Sequence, residues 1–222
     1  PVAMVHCNNC TSDLNAWVGL FAEFAECFNI KADKNTLFST LYQKAMEGDK
    51  DCGGMIACNY YSGEPVTGLE EGRPMFLRRP DSHLGLANFM RSHLYASLAT
   101  LKIGLDILLK EEDVKIDSIT GHGGLFKTKG VGQSILAAAM NAPISVMETA
   151  GEGGAWGMAL LAAYMLSKKD GQSLGDYLDS RVFAERKSET MEPDLADVAG
   201  FETYTKQYQA CLAAEKAAVQ AF

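Results

Sequence analysis

Two short stretches of the chain combine glycines with small polar residues in an order that could hold a phosphate group. The first is Ile119-Thr120-Gly121-His122-Gly123-Gly124-Leu125-Phe126-Lys127-Thr128. A β-branched run leads into it, and an apolar pattern of helical period, Gln133 to Met140, leads out. A strand that breaks at glycines and reopens as a helix presents free backbone N–H groups and the positive end of a helix dipole. The second stretch, Thr149-Ala150-Gly151-Glu152-Gly153-Gly154, repeats that arrangement between another apolar strand and another apolar helix. Two such turns in succession suggest a nucleotide cradle. Gly123 and Gly124 would let the backbone approach a nucleotide where a Cβ would clash. Gly153 and Gly154 would close the opposite wall of an adenine slot.

The neighbouring side chains each carry a functional and a structural reading. Thr128 can cap the following helix and can hydrogen-bond a base or ribose. Lys127 can reach a ligand or stand as a solvated cation. Glu152 suits a helix N-terminus, where an anion is favoured, and His122 reads as a turn residue rather than a ligand contact. Arg73, Arg78 and Arg79 lie in a proline-rich loop, where phosphate pairing competes with a solvated surface. His6, Cys7 and Cys10 cluster near the start, with Cys52 and Cys58 downstream. Zinc wants four ligands from paired knuckles, and the second pair is spaced too widely, so these read as small buried thiols and no metal is assigned to them.

The elements that must position these residues follow from periodicity. Val2 to His6 reads as a short strand. Thr11 or Ser12 can cap a helix from about residue 13 to 28, with Leu14, Trp17, Phe21 and Phe24 as its apolar face. A second helix spans about 34 to 46, with Leu37, Leu41 and Ala45 on one side. Residues 53–59 form a buried-strand candidate. Residues 60–81, with three prolines and several glycines, read as a long loop on a functional face. The longest helical pattern runs from His83 to Lys110. Strand 115–120, a glycine turn, helix 129–140, strand 144–147, a second glycine turn and helix 154–166 then alternate, which predicts parallel strands with a right-handed crossover. The alanine-rich tail, 201–222, predicts a final helix.

The bulk properties narrow the class. The 222 residues are 47% hydrophobic and 22% charged, ample for a core, and the formal net charge is −8. That sign argues against nucleic acid or an anionic membrane as the main partner. The longest strongly apolar stretch, 155–166, is too short to cross a bilayer, no signal-peptide pattern is present, and cysteine usage fits a reducing cytoplasm. The chain starts at Pro1 directly in an apolar run, as the interior of a longer protein would.

At its glycine turns the sequence resembles the C-terminal half of the FGGY family of carbohydrate kinases. The family's adenosine motif has glycines, a Lys-Ser-like pair and a Gln on the next helix; here Gly123, Gly124, Lys127, Thr128 and Gln133 stand in that order. The family's next element, a Glu followed by Ala, Gly and Ala at offsets three, five and seven, matches Glu152, Ala155, Gly157 and Ala159. Upstream, Tyr61-Ser62-Gly63-Glu64-Pro65 resembles its Ser-Gly-Glu loop before a long helix. The segment Asn9-Cys10-Thr11-Ser12-Asp13-Leu14-Asn15-Ala16-Trp17 is similar to a helix whose first turn approaches the nucleotide phosphates, with Thr11 and Asn15 on one face. The match spans nearly the whole chain in the correct order, and its tone is xylulokinase-like or ribulokinase-like. Cys10 and Thr11 replace glycines at that helix start, Tyr95-Ala96 replaces a frequent Glu-Gly, and Leu125 and Phe126 replace a glycine and a small residue of the adenosine motif.

The resemblance implies an α/β fold of the ribonuclease-H-like, actin-like ATPase kind, with a mixed sheet and flanking helices. It implies that residues 1–222 form the ATP-binding domain of a kinase acting on a pentulose such as xylulose or ribulose, with Mg²⁺ on the phosphates. Nucleotide contacts are then expected from Gly123, Gly124, Lys127, Thr128, Gly153, Gly154, Thr11 and Asn15. The sugar site and the general base would belong to an N-terminal domain outside this sequence, so no catalytic residue is assigned and the chain alone is expected to lack turnover. A face left bare for that domain could drive a homodimer. Two other classes stay open. A non-enzymatic actin-like nucleotide-binding module would show the same turns. A dinucleotide-binding oxidoreductase would use Gly121-x-Gly123 with Glu148 on the ribose, but Phe126 occupies its third glycine position and no βαβ unit follows.

Overall fold

The computed structural model describes residues 4–147, 153–184 and 188–221. The fold is built around α3 (Leu86–Asp106), whose residues from Met90 to Thr100 are buried on every side. A helix that is apolar on most of its faces has to sit inside, and here it is covered by helices and a strand. α1 (Ser12–Cys27) and α2 (Lys34–Ala45) pack on one flank. β1 (Met55–Cys58), all four residues of it buried, lies against α3 and the long C-terminal α7 (Leu195–Ala221). α4 (Val131–Met140) packs on both α3 and α7.

Two small sheets complete the architecture. β1 pairs antiparallel with β2 (Met75–Arg78). β3 (Ile119–Gly121) pairs in parallel with β4 (Ile144–Met147), with α4 as the connection, as the alternation predicts. β5 (Ser188–Met191) then adds antiparallel to β4, which makes this sheet mixed. α5 (Gly153–Ser167) and the short α6 (Leu174–Tyr177) lie between β4 and β5 in the chain. None of the described helices is long and apolar enough to cross a membrane.

Local chemistry explains several boundaries. Asp33 caps α2: its carboxylate accepts from the Asn35 and Thr36 N–H groups and from the Thr36 hydroxyl, which holds its carboxyl below the usual range. Asp194 does the same for α7 through the N–H groups of Ala196 and Asp197. α4 begins after Gly130 at φ 81° and ends at Asn141 at φ 49°, both left-handed conformations.

Several sequence expectations need correction. Residues 4–7 carry no strand, and Val2 lies outside the described residues. Phe24 is not part of a buried face: Leu14 and Val18 turn inward, and Phe24 is 62% exposed beside Phe28. The loop 60–81 contains β2, hidden in the sequence by Pro74 and Pro80 on either side of a half-exposed edge strand. The long helix starts at Leu86 rather than His83 and widens into a π-type turn over Ile107–Glu111. Strand β3 is confined to three residues. α6 and β5 were not anticipated at all.

Candidate nucleotide-binding site

The first glycine turn follows β3 directly. Gly121 is buried because the Phe126 ring folds back over it: a Cβ there would stand 2.5 Å from Phe126 Cε1 and Cζ. Gly123 has φ 110° and ψ −178°, a conformation essentially reserved for glycine. The chain then makes a tight helical turn, Gly124–Phe126, before α4. Phe126 thus fills the space that close backbone packing would need in a dinucleotide fold, and β5 joins the sheet antiparallel. Both features argue against the dinucleotide reading.

Thr11, Asn15, Gly124, Lys127 and Thr128 converge on one cavity of about 650 Å³. Its other wall is the polar edge of α2, with Asn35, Ser39 and Tyr42 spaced four and three residues apart, plus Thr36 and Phe38. These α2 residues were missed in the sequence. The signal was present, since Asn35, Ser39 and Tyr42 recur at helical spacing beside the apolar stripe of Leu37 and Leu41. Lys127 is the one charged side chain among the described residues lining this cavity. Thr11 stands at the start of α1, where its carbonyl accepts from the Asn15 N–H at 2.9 Å, and its hydroxyl makes no capping bond. Burial pushes the Tyr42 phenol up to about 12, so it stays neutral and can donate.

The remaining expected residues are placed differently. Gly123 lines an adjoining, more apolar cavity of about 620 Å³ that shares Thr11 and Gly124. Thr128 does not cap α4; Gly130 holds that position, and Thr128 accepts through its carbonyl from the Val131 N–H at 3.3 Å. Gly153 backs onto the His122 ring of the first turn, where a Cβ would meet Nδ1 at 2.9 Å. Gly153 and Gly154 nevertheless line neither cavity. Glu148 and Glu152 lie outside the described residues. Gln133 faces away from the cavity, its amide donating to the carbonyls of Ile144 and Glu189 and tying α4 to the sheet.

The Ser-Gly-Glu loop has a structural task. Glu64 is fully buried, and its carboxylate accepts from the N–H groups of Asn8 and Asn9 at 3.0 and 3.2 Å. Asn9 in turn accepts from the N–H groups of Tyr61 and Ser62. This clasp fixes the segment leading into α1. Asp13, in the first turn of α1, is buried against His93 on α3, with 3.2 Å between Oδ2 and Nδ1. The start of α1, and with it Thr11 and Asn15, is therefore held from two sides.

The model of the C-terminal domain of the FGGY family of carbohydrate kinases matches residues 1–166. The chain belongs to this family. Solved structures agree on the fold. A xylulose kinase from Lactobacillus acidophilus superposes with a TM-score of 0.63 at 19% identity, covering 90% of this chain and 39% of that one. A xylulose kinase from Rhodospirillum rubrum gives 0.64 at 19% identity over 94% and 38%. A Plasmodium falciparum glycerol kinase with ADP gives 0.56 at 18% identity over 90% and 37%. No curated protein sequence matches the chain. This FGGY domain thus has the actin-like, ribonuclease-H-like α/β fold, and it spans less than two fifths of the length of these solved relatives.

Proposed function

We propose that this FGGY domain is the nucleotide-binding half of an ATP-dependent carbohydrate kinase, with a pentulose such as xylulose or ribulose as the acceptor. The observation that carries this reading is the convergence of Thr11, Asn15, Gly124, Lys127 and Thr128 on one cavity whose far wall is the polar edge of α2. Its volume of about 650 Å³ falls in the range of small-molecule sites. Gly124 leaves open space where a side chain would intrude. Asn35, Ser39, Tyr42 and Thr128 offer donors and acceptors for a base and ribose. Lys127 brings positive charge, and the N-terminal end of the α1 dipole favours phosphate.

Bound Mg·ATP would supply the transferable phosphoryl group together with the divalent charge that neutralises it. No acidic side chain is among the described residues lining the cavity, so Mg²⁺ would be held chiefly by the phosphates. What this chain contributes is positioning. Its glycine turn and the two helices would fix the nucleotide, and a second domain carrying the sugar pocket and base would close over it and exclude water. Xylulose or ribulose phosphorylation by the purified chain alone, followed by coupled ADP release, is expected to be undetectable; measurable turnover would refute that division of labour.

Calorimetric titration with Mg·ATP, Mg·ADP and Mg·NADH tests the site. Adenine-nucleotide binding that Gly124→Val weakens by about tenfold or more, without loss of thermal stability, supports the reading. NADH binding in preference to ATP would overturn it. So would ATP binding that Gly124→Val leaves unchanged.

A further inference from the structure

Outside the candidate nucleotide site, the described residues hold one pair of thiols close enough to react with each other. Cys58, the last residue of β1, and Cys211, on α7, place their Sγ atoms 2.8 Å apart although 153 residues separate them in sequence. Both are free thiols in this structure. From there a disulfide at about 2.05 Å needs a movement of less than an ångström. Cys58 is 1% exposed and Cys211 9%.

The surroundings hold both backbones in place. On one side of Cys58, the Ala57 N–H donates to the Tyr204 hydroxyl, and that hydroxyl also lies 3.3 Å from the Ala57 carbonyl. On the other side, Asn59 Oδ1 accepts from the Tyr208 hydroxyl at 3.0 Å. Tyr204, Tyr208 and Cys211 stand on α7, so β1 and α7 are already registered around the pair. One turn beyond Cys211 is Glu215, fully buried, whose Oε1 accepts from the Arg73 N–H.

We propose that Cys58 and Cys211 form a reversible redox site that takes a small hydroperoxide as oxidant and closes to a disulfide between β1 and α7. The step balances in two stages. The Cys211 sulfur attacks one peroxide oxygen, the S–O bond forms as the O–O bond breaks, and the departing hydroxide takes the thiol proton to become water. Cys58 then attacks the sulfenic sulfur, the S–S bond forms as the S–O bond breaks, and the hydroxide leaves as a second water with the Cys58 proton. Two thiols lose two electrons in all, and one hydrogen peroxide gains them. Cys211 takes the first stage because it is the more exposed of the two, 9% against 1%, so a small oxidant meets it first. Cys52, fully buried with no thiol beside it among the described residues, offers no such partner.

This inference is independent of the kinase reading, because its readout needs no nucleotide. The purified chain is treated with hydrogen peroxide, unfolded in the presence of an alkylating agent, digested and mapped by mass spectrometry. The expected product is a peptide pair linked through Cys58 and Cys211, two hydrogens lighter than its parts, with Cys52 still alkylated. Dithiothreitol restores both thiols, and the thermal unfolding midpoint rises on oxidation and falls back on reduction, since the cross-link closes a very long loop. Cys211→Ser removes the linked peptide, and Cys52→Ser preserves it. Recovery of Cys58 and Cys211 as separate alkylated peptides, as sulfinic or sulfonic acids, or linked only to other cysteines would overturn the proposal.

Discussion

At the scale of single residues, the glycines of the first turn divide by what surrounds them. Gly124 faces open space, so a methyl group there meets no atom of the chain. Gly121 is pressed against the Phe126 ring at 2.5 Å from where a Cβ would stand. Gly124→Ala is therefore expected to change unfolding free energy by less than about 0.5 kcal/mol. Gly121→Ala should cost about 1–3 kcal/mol, because the ring must leave its place over β3. Urea denaturation of the two variants checks this, and equal costs would mean that the turn has no such asymmetry. The sequence marks both positions only as glycine. Which one is needed for packing and which one opens a cavity depends on where Phe126 lies, and that is a tertiary fact.

At the scale of elements, α7 is docked by a charge pair as well as by its aromatic face. Arg91 on α3 is fully buried and ion-pairs with Asp197 in the first turn of α7. The same guanidinium donates to the Tyr95 hydroxyl at 2.9 Å and reaches the carbonyls of Ala45, Met46 and Gly48 at and just beyond the end of α2. Lys50 adds a second cation to Asp197 at 2.8 Å. Removing the carboxylate leaves a buried cation without its counter-charge, so Asp197→Ala should cost about 3–5 kcal/mol. Asp194→Ala, which loses only the helix cap, should cost about 1 kcal/mol. Chemical denaturation of both variants gives the order, and an Asp197→Ala cost no larger than the cap's would place the docking of α7 elsewhere. The helices themselves were legible, since apolar spacing marks α2, α3 and α4, and alanine-rich composition marks α7 from residue 201, although α7 begins at Leu195. Their pinning was not, because the partners of Arg91, Asp13, His93 and Glu64 come from distant segments of the chain. Edge strands escaped for the opposite reason. β2 is short and half-exposed and β5 short and largely exposed, so neither alternation nor a β-branched run distinguishes them from loop. Within the candidate site, the turn was legible from residue types and the start of α1 from the family resemblance, whereas the α2 wall was hidden behind a helix whose obvious feature is its apolar stripe.

At the scale of the molecule, α5 is the element least at ease in this domain. It is apolar around most of its circumference, yet none of its residues is fully buried. Met158, Leu161, Met165 and Leu166 are 68%, 43%, 76% and 91% exposed; the spacing of three and four puts the first three along one stripe, and Leu166 flanks it. A helix of that composition is stable in water only when something covers it. The solved relatives are more than twice as long as this chain, so in them other segments are available for cover. In the purified chain a second copy would supply that cover, since an isologous pair of α5 helices crossing about a two-fold axis would hide both stripes at once. Light scattering behind size exclusion should accordingly show a mass rising from 24.0 kDa towards twice that value with increasing concentration. The double substitution Met165→Lys with Leu166→Lys puts like charges face to face across that axis and should hold the chain at its monomer mass without lowering its unfolding midpoint, because neither side chain contributes to the core. A wild-type mass that stays constant over a hundredfold range of concentration would show that α5 does not pair with itself, and that its apolar stripe is tolerated in water.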